Sequence, residues 1–281
     1  MVRAGFPRIM PRFTQIPLAF LLAGVLSFSA NAEVTVESEQ IPNGLTFWAN
    51  NPDPWPVTGT VTGKSQNARP AREFPYTLVI EKETRKRVAT FHQENPQQPY
   101  RANVLVKSRP GDHRSRPNPK ARYRFPFQSG QSFKVAQSFH GEISHTGKFE
   151  FAVDFMMPEG TPVCAARGGM VVKLENDFQK GAWDPALLEK ANIIQILHDD
   201  GTIGSYGHLQ YHGASVSLGQ QVSAGDVIGH SGRTGMIHDP HLHFHVELPI
   251  DGNNFRSIAF KFEGPKRGGI VPEKDQTYTA P

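Results

Sequence analysis

The chain has 281 residues, with 30 Lys and Arg against 26 Asp and Glu and a formal net charge of +4. Three of the basic residues, Arg3, Arg8 and Arg12, lie in an N-terminal segment that we expect to be removed, and without them the net charge falls to +1. The bulk charge therefore gives no support to a general role on nucleic acid or at a membrane surface. The single cysteine, Cys164, excludes an intramolecular disulfide.

The first 32 residues have the order of a secretory signal peptide. The three arginines precede an apolar run from Ile16 to Phe28, and Ala30-Asn31-Ala32 follows as a small-x-small cleavage site. The apolar run is too short to predict a transmembrane span. We expect cleavage after Ala32, a mature chain that begins at Glu33 without a stable membrane span, and export to the periplasm, the cell envelope or the medium.

Residues 33–127 are predicted to form a small β-sandwich domain. Short runs of alternating apolar residues, separated by Pro, Asn and Gly, are typical of such strands. Examples are Leu45–Ala49, Tyr76–Ile80, Ala102–Val106 and Tyr123–Phe125. These runs contain no catalytic constellation, so we expect this domain to position or shield the next one, or to bind a partner.

Residues 128–262 are predicted to form a second β domain, followed by a disordered polar tail over residues 263–281. The alternation over Phe149–Phe155 predicts a strand, and Asn192–Leu209 predicts a hairpin that turns at its Asp-Asp-Gly sequence. The insertion Asn176–Ala191 is predicted to be a surface loop and a candidate groove wall. Both domains together give an all-β chain.

One strand of the second domain concentrates histidines on a single face. His241, His243, His245 and Glu247 alternate with Leu242, Phe244 and Val246 between turn signals. Because successive side chains of a strand point to opposite faces, the polar set shares one face and the apolar set the other. Three histidines in five residues on one face favour a metal or catalytic site over a solvated polar surface.

Three further residues complete the chemistry that a zinc hydrolase needs. Asp154 lies among apolar neighbours, His145 lies upstream in a Ser-His-Thr-Gly sequence, and His208 lies in Tyr-Gly-His-Leu. Imidazole and carboxylate are ligands of Zn²⁺, and catalytic sites use three of them with one position left open. Histidines beside such a site can transfer protons near neutral pH.

The sequence resembles the M23 metallopeptidase family, the lysostaphin/LytM-type peptidoglycan endopeptidases. The resemblance covers roughly residues 131–248, and its motifs occur in the family's order. They are Ser144-His145, Ala152-Val153-Asp154-Phe155, Gly160-Thr161-Pro162-Val163, Tyr206-Gly207-His208-Leu209, Gly225-Asp226-Val227-Ile228-Gly229, Ser231-Gly232-Arg233-Thr234-Gly235 and His241-Leu242-His243-Phe244.

The resemblance implies a fold, a cofactor and a reaction. The fold is an antiparallel sheet with a groove, and the cofactor is Zn²⁺ bound by His145, Asp154 and His243. His208 and His241 would be the catalytic histidines. The implied reaction is hydrolysis of peptide cross-links in peptidoglycan, in diderm bacteria the D-alanyl–diaminopimelate bond, and other cell-wall enzymes are implied as partners.

One departure from the family pattern leaves the first ligand open. The usual His stands four residues before the Asp, where this chain has Glu150. On a regular strand Glu150 and Asp154 would be roughly 13 Å apart at Cα, too far for one metal unless a bulge intervenes. We favour His145, which lies before the strand and can fold back. His245 is predicted to support a ligand or to be structural.

Two other functions compete with an enzyme. A non-enzymatic relative would bind the cell wall or activate another wall hydrolase, but degenerate relatives of that kind lose metal ligands and this chain keeps a full set. A biotinyl or lipoyl carrier is suggested by the Val-x-x-Gly spacing over Val216–Gly225. A carrier needs a lysine at its hairpin tip, and none lies between Lys190 and Lys261, so this function is discounted.

Overall fold

The computed structural model describes residues 34–264 and 268–281. The signal peptide predicted over residues 1–32 lies outside the described residues. Within them the secondary structure is almost entirely β, apart from two short 3₁₀ helices over Gly147–Phe149 and Pro185–Leu187. The all-β prediction is confirmed.

The N-terminal unit consists of two antiparallel sheets with the strand orders β1-β2-β6-β4 and β5-β3-β7. Its strands are β1 Thr35–Ile41, β2 Gly44–Asn51, β3 Val57–Gln66, β4 Ala68–Pro70, β5 Tyr76–Ile80, β6 Thr84–Gln93 and β7 Arg101–Pro110. Side chains from both sheets, among them Phe47, Phe91 and Val61, meet in one core. This arrangement is a small β-sandwich.

The second unit contains one large sheet whose main path runs β15-β11-β13-β14-β18-β9-β8-β20, with β10, β16 and β19 attached to it. Its strands are β8 Ser132–Gln137, β9 Ala152–Met156, β10 Pro162–Cys164, β11 Gly169–Glu175, β12 Gly181–Ala182, β13 Asn192–Leu197, β14 Ile203–Ala214, β15 Gln221–Val222, β16 Val227–Ser231, β17 Gly235–Met236, β18 His241–Pro249, β19 Phe255–Ser257 and β20 Thr277–Thr279. β12 and β17 form a separate parallel pair.

The histidine-bearing strand β18 lies in the middle of this sheet, paired with β14 on one side and β9 on the other. Its apolar residues Leu242, Phe244 and Val246 are fully buried in the core. Its histidines and Glu247 lie on the opposite face, which lines a groove. The predicted division of this strand into two faces is confirmed.

The boundary between the two units lies earlier than predicted. Tyr123, Phe125 and Phe127 were assigned to the sandwich, yet all three are buried in the core of the second unit. Tyr123 forms an isolated bridge to Phe262 rather than part of a sandwich strand. Aromatic packing decides their place, since the ring centroids of Phe125 and Phe262 lie 4.8 Å apart.

The polar tail predicted to be disordered is a second correction. In its described part, Thr277–Thr279 pairs antiparallel with β8 as an edge strand of the large sheet. The Ser132 and Thr279 hydroxyls lie 2.7 Å apart across this pairing. Ladder hydrogen bonds hold a polar segment that the sequence alone assigns to solvent.

The sandwich packs directly against the second unit. Val172 of β11 is fully buried in the sandwich core. The backbone N–H of Gly252 donates to the Thr60 hydroxyl at 2.8 Å, and Arg109 at the end of β7 pairs with Glu247 of β18. The lone cysteine, Cys164, is buried with a free thiol. None of the helices in the described ranges is long and apolar enough to span a membrane.

Candidate metal centre

Three residues from separate segments of the second unit meet on the groove face of the large sheet. His145 comes from the loop after β8, Asp154 from β9 and His243 from β18, and one ligand atom of each lies within 4.8 Å of the others. The strand register pairs His243 directly with Asp154, which fixes two of the three positions. The structure therefore assembles the trio that the sequence singled out.

The loop fixes His145 by two hydrogen bonds. Its backbone N–H donates to the carbonyl of Gly141 at 3.0 Å, and its ring Nδ1 lies 2.8 Å from the carbonyl oxygen of Ser138. A carbonyl oxygen only accepts, so Nδ1 carries the proton and Nε2 of the neutral ring has a free lone pair. That Nε2 lies 3.0 Å from Asp154 Oδ2 in a fully buried side chain, yet makes no hydrogen bond.

The orientation of His243 is set by the residues that follow it on β18. His245 Nε2 donates to the Glu247 carboxylate at 2.7 Å. A neutral His245 then accepts at Nδ1, which lies 3.2 Å from His243 Nε2. With its proton on Nε2, His243 presents the lone pair of Nδ1 to Asp154 Oδ1 at 2.9 Å. His245 thus supports a candidate ligand.

A cation fits this arrangement. Two imidazole nitrogens and a carboxylate converge in a buried space, and the carboxylate favours a positive charge beside it. Burial lowers the pKa of His145, but Asp154 raises it to a net value above the ordinary one, so a metal ion at this position would replace a proton on Nε2. Burial raises the pKa of Asp154, but His241, His145 and His243 lower it further, so the net value lies well below the ordinary one. Burial lowers the pKa of His243 to about 4, despite the opposing effect of Asp154. At neutral pH both groups have the protonation states that metal ligands need.

Glu150, the alternative ligand, lies outside the cluster. Residues 147–149 form a 3₁₀ helix, Glu150 has helical backbone angles, and β9 begins only at Ala152. The Glu150 side chain is 46 % exposed and its carboxylate lies 3.1 Å from His140 Nδ1. The strand predicted over Phe149–Phe155 is therefore wrong in its first half.

Aromatic packing explains the shorter strand. The Phe149 ring packs edge-on against His243 and His245, with centroids 5.3 Å away in both cases, and 5.4 Å from Phe255. Gly147 adopts a positive φ of 56° where the chain turns back. The alternation of aromatic residues imitates a strand, but Phe149 covers the histidines instead of extending β9.

A change of strand partner directs His208 into the groove. β14 pairs with β18 as far as Gly207, opposite His243, and then with β16 from Leu209 onwards. His208 lies at the irregularity between these pairings with φ of 61°, a left-handed conformation that is uncommon outside glycine. The sequence predicted a regular hairpin at this point and not the irregularity.

His208 and His241 form a pair beside the trio, with ring centroids 4.8 Å apart. His208 Nδ1 lies 2.7 Å from the Thr234 carbonyl, and His241 Nδ1 lies 2.8 Å from the Asp239 carbonyl. Both rings therefore keep Nε2 free as an acceptor when neutral. Burial lowers the pKa of His208 to about 3, and His241 and His243 add to this effect. His241 Nε2 lies 3.7 Å from Asp154 Oδ1.

Three contact residues were missed by sequence reasoning. The Gln137 side chain donates to Asp154 Oδ2 at 3.0 Å. Gln195 and Arg109 donate to Glu247 Oε1 at 3.1 and 3.0 Å. No motif marks a single Gln or Arg, and only the fold brings them to the site.

The groove above the histidines has a volume of about 640 Å³. One wall comes from the insertion, where Gly181–Ala182 pairs in parallel with Gly235–Met236. Trp183 of this wall is half exposed and stacks on His238 with ring centroids 4.0 Å apart. The insertion is a groove wall, as the sequence suggested, and its Trp183 ring gives the groove an aromatic surface.

Residues 148–255 match the model of peptidase family M23. The peptidoglycan DD-endopeptidase ShyA of Vibrio cholerae is 32 % identical over 160 residues, which are 56 % of this chain and 33 % of that protein. An uncharacterized metalloprotease of Buchnera aphidicola is 30 % identical over 129 residues, 44 % of this chain and 31 % of that protein.

The structure of lysostaphin from Staphylococcus simulans is 28 % identical and covers 44 % of this chain and 47 % of that one, with a TM-score of 0.33. This chain spans about a third of the length of the curated relatives that it matches. The matched segment contains Asp154, His208, His241 and His243, and it begins shortly after His145. Over residues 148–255, which lie within the second unit, this chain belongs to peptidase family M23.

Proposed function

We propose that this chain is a zinc-dependent endopeptidase that hydrolyses peptide cross-links in peptidoglycan. The observation that carries the proposal is the pairing of a buried His-Asp-His trio with two histidines whose free Nε2 atoms face the same groove. A relative that shares the domain is named a peptidoglycan DD-endopeptidase, which supports the substrate class.

In this proposal His145 Nε2, Asp154 and His243 Nδ1 hold the metal. Zinc supplies a Lewis acid that polarises a peptide carbonyl and lowers the pKa of water. Gln137 holds Asp154 by a hydrogen bond, and His245, which is itself bonded to Glu247, holds His243. Such supporting hydrogen bonds are usual around metal ligands.

The remaining histidines move protons. His208 and His241 each keep Nδ1 on a backbone carbonyl, so only Nε2 is free to accept a proton from the attacking water and return it to the leaving amine. The burial that lowers the pKa of His208 keeps its ring neutral at neutral pH, so the lone pair of Nε2 is not already protonated. The groove, with Trp183 on its wall, would hold the peptide extended across the sheet.

The decisive experiment combines metal analysis with digestion of a defined substrate. Purified mature protein should contain about one Zn²⁺ per chain and convert D-alanyl–diaminopimelate cross-linked muropeptide dimers to monomers. Removal of the metal should stop the reaction, and added zinc should restore it. Intact dimers under every metal condition would favour the alternative, a non-enzymatic protein that binds the wall or activates another hydrolase.

The location of the protein belongs to the same proposal. An enzyme that cuts peptidoglycan works outside the cytoplasmic membrane, and the basic, apolar, Ala-x-Ala order of residues 1–32 is that of an export signal. Protein recovered from the cell envelope should begin at Glu33 by N-terminal sequencing. A chain that still begins at Met1 and stays in the cytoplasm would contradict export.

A further inference from the structure

The buried carboxylate of Glu247 on β18 forms an ion pair with a residue of the N-terminal sandwich. Glu247 is 1 % exposed, and Arg109 of β7 in the sandwich reaches its Oε1 with a guanidinium nitrogen at 3.0 Å. Gln195 donates to the same oxygen at 3.1 Å. A carboxylate buried to this degree is stable as an anion only with charged or hydrogen-bonding partners, and Arg109 is the cationic partner shown here.

The other oxygen of this carboxylate acts on the metal trio. Glu247 Oε2 accepts from His245 Nε2 at 2.7 Å, and His245 Nδ1 lies 3.2 Å from His243 Nε2. The direction of these two bonds leaves the lone pair of His243 Nδ1 aimed at Asp154 and the metal position. Loss of the Glu247 acceptor would free His245 to rotate or to change tautomer, and His243 would follow.

Packing reinforces the same line of contacts. The Phe255 ring stacks on His245 at 5.5 Å with an interplanar angle of 14°, and the Arg109 guanidinium carbon lies 4.7 Å from the Phe255 centroid. Arg109 therefore contacts this group of residues twice, by an ion pair with Glu247 and by a cation–π contact with the Phe255 ring that stacks on His245. At 22 % side-chain exposure it is held rather than free in solvent.

We propose that Arg109 is a positioning residue for the metal centre, which acts through Glu247 and His245 to fix the ring orientation and tautomer of the ligand His243. The N-terminal sandwich then contributes to metal binding in its own right, and is more than a shield or a targeting module. The inference rests on the metal site proposed above, and it adds a residue from outside the residues that match family M23.

The test uses the full mature chain and compares Arg109→Gln with Arg85→Gln. Arg85 lies on the same sandwich and also combines ion pairs, to Glu37 and Glu39, with a cation–π contact to Trp48, but it does not line the groove. Zinc Kd is measured by competition with a chelator, and Tm is measured on the metal-free protein. Contacts around metal ligands are typically worth about 10–100-fold in affinity, and we expect about tenfold weaker zinc binding for Arg109→Gln.

Two further variants separate positioning from stability. Arg109→Lys keeps the positive charge but loses the planar guanidinium group with its fixed set of N–H donors. We expect its Kd for zinc to lie between those of wild type and Arg109→Gln. The double variant Glu247→Gln, Arg109→Gln should bind zinc no more weakly than Glu247→Gln alone. Arg109 acts on His245 through Glu247, so its loss has no further effect once that carboxylate is gone. Arg85→Gln should leave the zinc Kd unchanged.

The outcomes are distinct. A zinc Kd for Arg109→Gln equal to that of wild type, with or without a lower Tm of the metal-free protein, overturns the positioning role and leaves the metal site intact. Equal weakening by Arg85→Gln overturns it as well, since the effect would then be a general loss of sandwich stability. A wild-type chain that binds no zinc overturns the proposed metal site and the positioning role together.

Discussion

Asp154 and Asp53 are both buried, 2 % and 8 % exposed, but their surroundings are opposite. Burial raises the pKa of Asp53 to about 6, and no neighbouring charge offsets it. Burial also raises the pKa of Asp154, but three histidines lower it further, to a net value well below the ordinary one. In the sandwich, burial alone sets the direction of the shift and raises the pKa of Asp53, whereas in the groove the neighbouring histidines more than offset the effect of burial on Asp154.

The difference shows what distinguishes a site from an incidental buried acid. Asp154 has Gln137, His145 and His243 within 3.0 Å of its two oxygens, and these residues come from three separate segments of the chain. Asp53 follows Asn51, whose side chain is hydrogen-bonded to neighbouring backbone. Convergence of groups from distant segments is the signature of function here, and burial alone is not.

The comparison is tested most directly by one substitution at both positions. Asp154→Asn keeps the side-chain volume but removes the anionic ligand, so we expect complete loss of bound zinc and of muropeptide cleavage. Asp53→Asn is the matched control and should keep both. Metal analysis of the purified proteins gives the result, and full zinc retention by Asp154→Asn would contradict the ligand assignment.

The choice of first ligand gives the next largest effect. His145→Ala removes a fully buried ring whose Nε2 points at Asp154, and should abolish stoichiometric zinc binding and activity. Glu150→Gln changes an exposed carboxylate next to His140, so it should keep most of both. Zinc content and cleavage rate are measured side by side, and the reverse ranking would place Glu150 in the ligand set.

A smaller loss should separate proton transfer from metal binding. His208→Ala should keep about one zinc per chain, because the ring bonds to the Thr234 carbonyl and not to Asp154. Its cleavage rate should fall by about 10²–10⁴-fold, the usual worth of general acid–base help. Loss of zinc from this variant would mean that His208 is a ligand or holds the groove together.

The smallest effect is on stability, and its sign follows from the raised pKa of Asp53. Between the ordinary value of 3.8 and about 6 the folded chain binds more protons at this group than the unfolded chain, so stability falls as pH rises through that range. Asp53→Asn should match wild type below about pH 4 and exceed it by about 1–3 kcal/mol near pH 7. Urea unfolding at both pH values checks this, and a variant less stable at neutral pH would contradict it.

The sequence predicted the features that depend on a short local pattern. The two faces of β18 follow from strict alternation at His241–Glu247, and the structure bears them out. The same rule failed at Phe149–Phe155, where alternation was present but the packing of Phe149 on His243 and His245 ended the strand early. The alternation of residues within one segment cannot predict a contact with distant residues that ends the strand early.

Other features needed the fold itself. The irregularity that turns His208 into the groove arises because β14 pairs first with β18 and then with β16. The order of strands in a sheet cannot be predicted from the sequence of a single segment. The contact between Arg109 and Glu247 joins two units, and neither residue belongs to a motif. Tyr123–Phe127 and Thr277–Thr279 were misassigned for the same reason, since each is held by partners far along the chain.

The strand order of the large sheet also determines when the proposed metal centre can assemble. His145 and His243 are about 100 positions apart in the chain. Asp154 of β9 can lie opposite His243 only after β18 has been made and has paired with β9. The final edge strand, Thr277–Thr279, is made of nearly the last residues of the chain. Because the proposed ligand His243 lies on β18, a chain that emerges from its N-terminus has an incomplete site until that strand has been made. In the proposed enzyme, metal binding therefore follows the synthesis of most of the second unit, and a chain that ends before β18 would lack the ligand His243.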